Sequence, residues 1–235
     1  MITVIKHAPH EGLGTFESVF RGAGHEIDVV EAWRATADDW TRAREADVLV
    51  VMGGAMGVYE RERFPFLDQE LELLGPRIAR DAPTFGVCLG SQLIAEAAGS
   101  KVAASGRHEI GWFGLRATGD GRVDPLVNGL DLTRPVFHWH GDTFATPAGG
   151  VRLLESDRFP QQGFRLGKRV YGVQFHPEVT AEELPLWIAA EQHLAYGRID
   201  GVQAEHEILE DGKRFGAALT ALSEALITRY LKLIS

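Results

Sequence analysis

Cysteine is nearly absent from this sequence: Cys88 is the only one among 235 residues. A single cysteine excludes an internal disulfide and a thiolate-rich metal site, which leaves packing or reactivity as its role. Basic residues are not in excess either, because 24 Lys and Arg stand against 33 Asp and Glu, for a net charge of -9. Nucleic-acid surfaces cluster Lys and Arg against backbone phosphates, so we expect no nucleic-acid partner.

Long apolar runs are missing as well. The first residues lack the basic segment, apolar stretch and cleavage site of a secretory leader, and no window approaches the length of a membrane span. We therefore expect a cytoplasmic protein with no membrane partner. No repeat, low-complexity tract or linker interrupts the chain, so we predict one domain over residues 1–235 with a helical C-terminal segment from about 181.

Short apolar runs alternate with intervals of helical length in the first hundred residues. Buried strands are predicted at 2–5, 27–30, 47–54 and 84–87. Helices are predicted at 15–23, 67–80, 181–195 and 203–233, the last one packed on the sheet. Such alternation predicts an α/β fold with a mostly parallel central sheet and flanking helices. From about 100 to 175, short extended pieces between Gly, Pro and Asp predict added mixed or antiparallel strands.

The cysteine stands in the stretch PTFGVCLGSQLIAEAAG, between a predicted strand and a helix-like pattern. Gly86 and Gly90 flank Cys88 at two-residue spacing, a pattern typical of a nucleophile held in a tight, strained turn. Backbone N–H groups at the start of the helix would favour thiolate over thiol and offer donors to an oxyanion. The alternative is a small buried residue that fills a gap between sheet and helix.

A histidine at the end of another apolar strand could act as the base that a cysteine nucleophile needs. In YGVQFHPEV, His176 precedes Pro177, which favours extended geometry, so Glu178 could hold the second ring nitrogen. Parallel strands that end at the same sheet edge would bring Cys88 and His176 together. The alternative is a solvated histidine beside an incidental acid.

Together these residues resemble the Cys-His-Glu triad of class I glutamine amidotransferases. GVCLGSQLIAEAAG is similar to the family's nucleophile motif, and GVQFHPEV is similar to its His-Glu motif. VVMGGAMGVYE resembles its glycine-rich strand end, and VFHWHGDTF resembles a segment that lines its glutamine pocket. These motifs follow the family's order over residues 48–179, and the chain most resembles stand-alone proteins related to the amidotransferase domain of GMP synthase. The implied fold is a flavodoxin-like α/β sheet.

The resemblance implies a role for each matched position. Cys88 attacks the side-chain amide of glutamine, His176 passes a proton to the departing ammonia, and a Cys-bound glutamyl thioester is then hydrolysed. Glu178 orients the imidazole, and the backbone N–H groups of Gly54 and Leu89 are the implied donors to the oxyanion. The expected ligand is glutamine or a γ-glutamyl small molecule, and no cofactor is expected.

Substrate contacts are expected around the same turn. Gln92 lies one helical turn beyond Cys88 and can share its face, with an exposed helix residue as the alternative. The other expected contacts, with an ordinary turn or structural strand residues as the alternative, are Gly53 and backbone groups around Trp139, His140 and Gly141.

Two further features bear on the pocket. His138 and His140 alternate on a predicted strand and could suggest a metal, but no third ligand stands at a recognisable spacing, so no metal is expected. FPQQGFR, at 159–165, is similar to a family segment written with Asn-Gln-Ala, from which Gln161 and Gly163 depart.

Three functions remain open. The chain could be a glutamine amidohydrolase that works alone or lends ammonia to a separate synthase, because it has neither a Walker-type phosphate loop nor a Ser-Gly-Gly-x-Asp-Ser loop. It could instead hydrolyse other γ-glutamyl amides or peptides, which the departures at Gln161 and Gly163 allow. Third, it could be a non-catalytic binding or regulatory protein on the same fold, although the intact Cys-His-Glu set speaks against this.

Overall fold

The computed structural model describes residues 1–191 and 193–235. Its strands are β1 (Ile2–Lys6), β2 (Ile27–Glu31), β3 (Val48–Val51), β4 (Thr84–Val87), β5 (Ala103–Phe113), β6 (Arg116–Ala117), β7 (Val136–Thr143), β8 (Val151–Glu155), β9 (Gly163–Leu166) and β10 (Val170–Val173). Its α-helices are α1 (Thr15–Gly22), α2 (Ala37–Glu45), α3 (Phe66–Ala79), α4 (Leu89–Ala97), α5 (Leu184–Ala190) and α6 (Glu205–Ile234). Among these helices, none is both long enough and apolar enough to cross a membrane.

The main sheet has eight strands in the order β2-β1-β3-β4-β10-β9-β8-β6. From β2 to β10 all neighbours are parallel, and β9, β8 and β6 extend the sheet by antiparallel pairing. β5 and β7 form a separate antiparallel pair. The predicted α/β class, with a mostly parallel sheet and added antiparallel strands, is therefore confirmed.

The two faces of the sheet carry different helices, as the period of a strand requires. In β3, Val50 joins the core that includes residues of α1 and α6, whereas Leu49 and Val51 join the core that includes residues of α2, α3 and α4. Because both faces are covered, burial along the central strands is continuous rather than alternating. The predicted packing of the last helix on the sheet is confirmed by Tyr230, whose ring lies 5.1 Å from that of Phe85.

One helical prediction needs correction. The stretch 181–195 is helical only over α5, because Thr180 donates from its backbone N–H and its hydroxyl to Glu183 in a preceding turn, and Pro185 favours a helix start there; residue 192 lies outside the described residues. The predicted helix at 67–80 is confirmed as α3, whose buried face includes Glu70 and Arg77 as well as leucines.

Candidate active site

Cys88 occupies the sharp turn between β4 and α4. Its backbone has φ 49° and ψ -107°, a region that non-glycine residues rarely adopt. A Cβ at Gly90 would lie 2.0 Å from the carbonyl oxygen of Val51, and a Cβ at Gly86 would lie 2.6 Å from Gly90 itself. The two flanking glycines therefore allow the strand end and the helix start to touch, which is the reason for the spacing seen in the sequence.

Parallel pairing of β4 with β10 brings the two sequence-predicted strand ends together. The backbone N–H of Cys88 donates to the carbonyl of Val173 over 2.8 Å. Beyond β10, His176 donates from Nδ1 to Oε1 of Glu178 over 2.7 Å, and both side chains are buried. The structure thus places Cys88, His176 and Glu178 at one edge of the sheet.

The charge of His176 is controlled by its two neighbours. Burial acts to lower the pKa of His176, but attraction to Glu178 and Cys88, with a hydrogen bond to each, raises that pKa well above its ordinary value. The imidazolium form is therefore favoured beside the thiol.

Gly54 and Leu89, the two predicted oxyanion donors, lie in neighbouring loops at the turn that carries Cys88. A Cβ at Gly54 would meet the Leu89 side chain at 2.7 Å, and the N–H of Gly90 donates to the carbonyl of Met52 over 3.1 Å, which ties the two loops together. In the part of the chain that the structure describes, neither amide has a backbone acceptor in a loop or turn. Gly54 lines the cavity described next, whereas Leu89 is not among its described lining residues.

A cavity of about 330 Å³ opens above this turn. Of the predicted site residues, its walls contain Gly54, Cys88, Gln92, Trp139, His140, Gly141 and His176. Gly53 is not among the described lining residues; its carbonyl accepts a hydrogen bond from Nδ1 of His7 over 2.8 Å. The side chain of His140 is only 1% exposed, so this residue presents its backbone to the cavity.

Two glutamines and a carbonyl surround the thiol. Gln92 is buried, which excludes the exposed alternative, and its Nε2 donates to Oε1 of Gln174 over 3.2 Å. Gln174 in turn lies 3.6 Å from the sulfur of Cys88 through its own Nε2, while the carbonyl oxygen of Trp139 lies 3.8 Å from the same sulfur. Gln174 was not predicted, although its place directly after a buried strand was a usable signal.

A second unpredicted group lies where β1 ends. His7 donates from Nε2 to Glu70 over 2.9 Å, and both side chains are fully buried. Glu11 lines the cavity, and its Oε2 occupies the space in which a side chain at Gly53 would stand. Burial raises the pKa of Glu11 to about 7, against the opposite effect of His176 and His7. Sites in α/β sheets lie at the carboxyl ends of parallel strands, which is how the position of Cys88 was predicted, and the same rule applies to the end of β1.

A third potential metal ligand, Glu109, lies beside His138 and His140, although the sequence spacing predicted none. Glu109 on β5 is the cross-strand partner of His140, and its Oε2 lies 3.2 Å from Nδ1 of His138 and 3.4 Å from Nε2 of His140. The ligand was invisible in the sequence because it comes from a neighbouring strand, about thirty residues earlier. Burial, followed by the nearby His140 and His176, lowers the pKa of His138 well below its ordinary value.

The departures at Gln161 and Gly163 do not touch the cavity. Gln161 is buried and accepts a hydrogen bond from the hydroxyl of Thr146 over 2.7 Å. A Cβ at Gly163 would meet the side chain of Leu154 at 2.9 Å. Neither residue is among the described residues that line the cavity, so they give no reason to expect an altered substrate.

Comparison with known proteins agrees with this geometry. Residues 16–190 match the family described as glutamine amidotransferase class-I. The glutamine amidotransferase-like protein YfeJ of Salmonella typhimurium is 33% identical over 181 residues, which are 76% of this chain and 75% of that protein. The GMP synthase of Corynebacterium glutamicum is 38% identical over 147 residues, 62% of this chain but only 26% of the synthase.

Solved structures of similar proteins cover the whole chain. A glutamine amidotransferase of Thermotoga maritima has a TM-score of 0.81 at 30% identity, over 98% of this chain and 97% of that one. A glutamine amidotransferase of Methylobacillus flagellatus has a TM-score of 0.86 at 27% identity, over 100% and 95% of the two chains. The chain therefore belongs to the class I glutamine amidotransferase family.

Proposed function

We propose that this protein hydrolyses the side-chain amide of glutamine through a thioester at Cys88 and releases ammonia. Family membership supports chemistry on the glutamine amide in general. The observation that carries the finer proposal is the buried arrangement in which His176 interacts with both Glu178 and Cys88 at the floor of an open cavity. Such an arrangement has little purpose in a protein that only binds a ligand, because strain and buried charge both cost stability.

The first half of the reaction forms the thioester. The Cys88 thiolate attacks the amide carbon, and the carbonyl electrons move to oxygen, which the N–H groups of Gly54 and Leu89 stabilise. Protonated His176 gives its proton to the amide nitrogen as the C–N bond breaks, because an unprotonated amide nitrogen is a very poor leaving group. Ammonia leaves, and the glutamyl group remains on sulfur.

The second half regenerates the thiol. Neutral His176 takes a proton from water, which attacks the thioester carbon and forms a second oxyanion at the same two amides. The C–S bond breaks, glutamate leaves, and the sulfur regains its pairing with protonated His176. Glu178 keeps the ring oriented throughout, through the bond at Nδ1, and stabilises the imidazolium each time it forms.

The destination of the ammonia is a separate proposal. The GMP synthase that matches this chain does so over about a quarter of its own length. We infer that the chain acts either alone or beside a separate synthase that accepts the ammonia. Ammonia release that rises on addition of the accepting synthase would support the second arrangement.

A second substrate class has an observation in its favour. The cavity wall carries the carboxylates of Glu11, Glu60, Asp142 and Glu191, and none of the described lining residues is Lys or Arg. An acidic, open cavity suits a γ-glutamyl amide whose amine portion is larger or positively charged. The same thioester would form, with an amine in place of ammonia as the leaving group.

The experiment measures ammonia from L-glutamine and amine from a panel of γ-glutamyl amides and peptides, for the wild type and Cys88→Ala. The proposal expects turnover in the wild type, none in the variant, and γ-glutamyl hydroxamate when hydroxylamine traps the thioester. Strong preference for the panel over glutamine would select the second substrate class. Equal turnover by both proteins would exclude Cys88 as the nucleophile, and no turnover of any compound would favour a binding protein.

A further inference from the structure

The β5–β7 pair carries a cluster of polar side chains that the proposed reaction does not use. We propose that Glu109, His138 and His140 bind a zinc ion inside this pair. His138 and His140 are two residues apart on β7 and so share one face, and Glu109 lies directly opposite His140. All three side chains are at most 1% exposed. The proposal is independent of the substrate and of the thioester chemistry.

The spacing of the donor atoms fits tetrahedral zinc. Ligand atoms held about 2.0–2.1 Å from a tetrahedral zinc ion lie about 3.3–3.4 Å from one another. Oε2 of Glu109 lies 3.2 Å from Nδ1 of His138 and 3.4 Å from Nε2 of His140. One donor atom from each of the three residues can be chosen so that all lie within 4.8 Å of one another.

Several buried atoms of this cluster lack the hydrogen bonds that buried atoms normally have. Within the described chain, Oε1 of Glu109, both ring nitrogens of His138 and Oε1 of Gln162 have no hydrogen-bond partner. A hydrogen-bonded network without a metal would leave these atoms desolvated and unpaired, at a cost for each of them. A cation at the centre gives a partner to Nδ1 of His138 and, once the amide is turned, to Oε1 of Gln162.

His140 also has the outer contact that orients a metal ligand. Its ring donates from Nδ1 to the carbonyl of Asp142 over 3.2 Å, which leaves Nε2 directed at Glu109. A contact of this kind fixes the tautomer and the orientation of a metal-bound imidazole. The ring of His138 packs edge-on against that of Phe113, with 5.9 Å between the ring centroids.

Gln162 supplies the fourth position. Its Nε2 lies 2.6 Å from Oε2 of Glu109 and 3.2 Å from Nε2 of His140. A half-turn of the amide places its unpartnered oxygen at this point instead, toward the ion. Two imidazoles, one carboxylate and one amide oxygen then close the coordination sphere, as in a structural rather than a catalytic zinc site.

The ion would hold the wall of the active site. Trp139 lies between the two histidines, and its carbonyl oxygen is 3.8 Å from the sulfur of Cys88. The carbonyl of Phe137, one residue before His138, accepts the backbone N–H of His176 over 2.8 Å. An ion that holds His138 and His140 in place therefore also holds the segment of β7 that contacts Cys88 and His176.

The first test is metal content. Tag-free protein is purified without chelator, and its zinc is measured by mass spectrometry for the wild type, Glu109→Gln and His140→Gln, with His206→Gln on the exposed face of α6 as the matched control. The proposal expects about one zinc per chain in the wild type and the control, and a loss of about tenfold or more in the other two variants. Zinc retained by both cluster variants would overturn it, as would stoichiometric iron or manganese in place of zinc.

The second test does not depend on the variants folding. Wild-type protein is stripped of metal with a chelator. Zinc is then titrated back, and the heat of binding is measured by calorimetry and the unfolding temperature by a thermal melt. Saturable binding at one site per chain with a raised unfolding temperature supports the proposal. Cobalt in place of zinc should give the intense visible bands of a tetrahedral ion. A stripped protein that binds neither metal and unfolds at an unchanged temperature would show that the cluster is a metal-free hydrogen-bonded network.

Discussion

The surroundings of Glu11 at the cavity wall change the pKa of its carboxyl group. Its carboxyl is almost completely buried, yet it lines the cavity near the imidazole of His176. Burial raises its pKa to about 7, while protonated His176 and His7 act in the opposite direction. The native protein therefore holds a proton on Glu11 at pH values where the unfolded chain has already lost it.

This difference predicts a pH-dependent stability. Because the folded pKa lies above the unfolded one, the contribution of Glu11 to the free energy of unfolding falls as pH rises from about 4.5 to about 7, by at most about 3 kcal/mol. Glu11→Gln has no proton to lose, so its stability relative to the wild type should increase over this window and level off above it. Urea unfolding from pH 4 to pH 9 measures the difference. Parallel curves for the two proteins would contradict the prediction.

Glu178 allows a test of ring orientation. We expect Glu178→Gln to lower kcat on the order of 100-fold or more with little change in KM, because the amide can hold Nδ1 but cannot stabilise the imidazolium. Steady-state kinetics on the best substrate of the panel measures this. Glu182→Gln, an exposed change four residues along the chain, should leave both constants unchanged. Comparable losses in the two variants would remove Glu178 from its proposed role.

At the scale of elements, the turn between β4 and α4 depends on glycine. Gly90→Ala should lower the free energy of unfolding by about 3 kcal/mol or more, because the new methyl group would lie 2.0 Å from the Val51 carbonyl. Gly75→Ala is the control: it lies within α3, where a Cβ meets no other described atom within 4 Å, and should raise stability by about 0.5–1 kcal/mol. Urea unfolding of both variants at one pH gives the comparison. A tolerated Gly90→Ala would show that the turn can relax.

Elements that bury an apolar run could be predicted, and those that do not were missed. The strands near 2–5 and 84–87 are fully buried and lie where expected. Helix α2 reads ADDWTRARE and buries only Trp40 and Ala43, so its apolar signal is weak. Its start was nevertheless readable, because Thr36 and Asp39 form a capping box.

The candidate site was predictable only where it follows strand ends. Cys88 and His176 could be placed together because parallel strands finish at one edge. Glu109 could not be placed with His138 and His140, because the pairing of β5 with β7 depends on a register that no local pattern specifies. The cavity wall was therefore only partly predicted.

Across the whole molecule, the C-terminal helix is tied to the edge of the sheet that carries Cys88, His176 and Glu178. The hydroxyl of Thr15 lies 2.6 Å from that of Ser223 on α6, which is fully buried. The backbone N–H of Thr15 donates to the carbonyl of Glu178 over 2.9 Å. Thr15 and Ser223, more than two hundred positions apart in the sequence, thus support the backbone of Glu178, the proposed orienting acid.

This connection predicts that the end of the chain matters for stability. Ser223→Ala should lower the free energy of unfolding by about 1 kcal/mol, because it removes a buried hydrogen bond and leaves the Thr15 hydroxyl with fewer partners. Thr228→Ala, an exposed change on the same helix, should stay within about 0.5 kcal/mol of the wild type. Urea unfolding monitored by circular dichroism separates the two. Equal effects would mean that this buried bond contributes nothing measurable.

The solitary sulfhydryl of this chain stands on the floor of the cavity. A chromogenic or fluorescent thiol reagent that modifies the folded protein can therefore mark no other position. Moles of label per mole of chain then count the open, reduced sites in a preparation, and a bound ligand that slows labelling reveals its own affinity. The protein thus carries a built-in active-site titration that needs no substrate to be known beforehand.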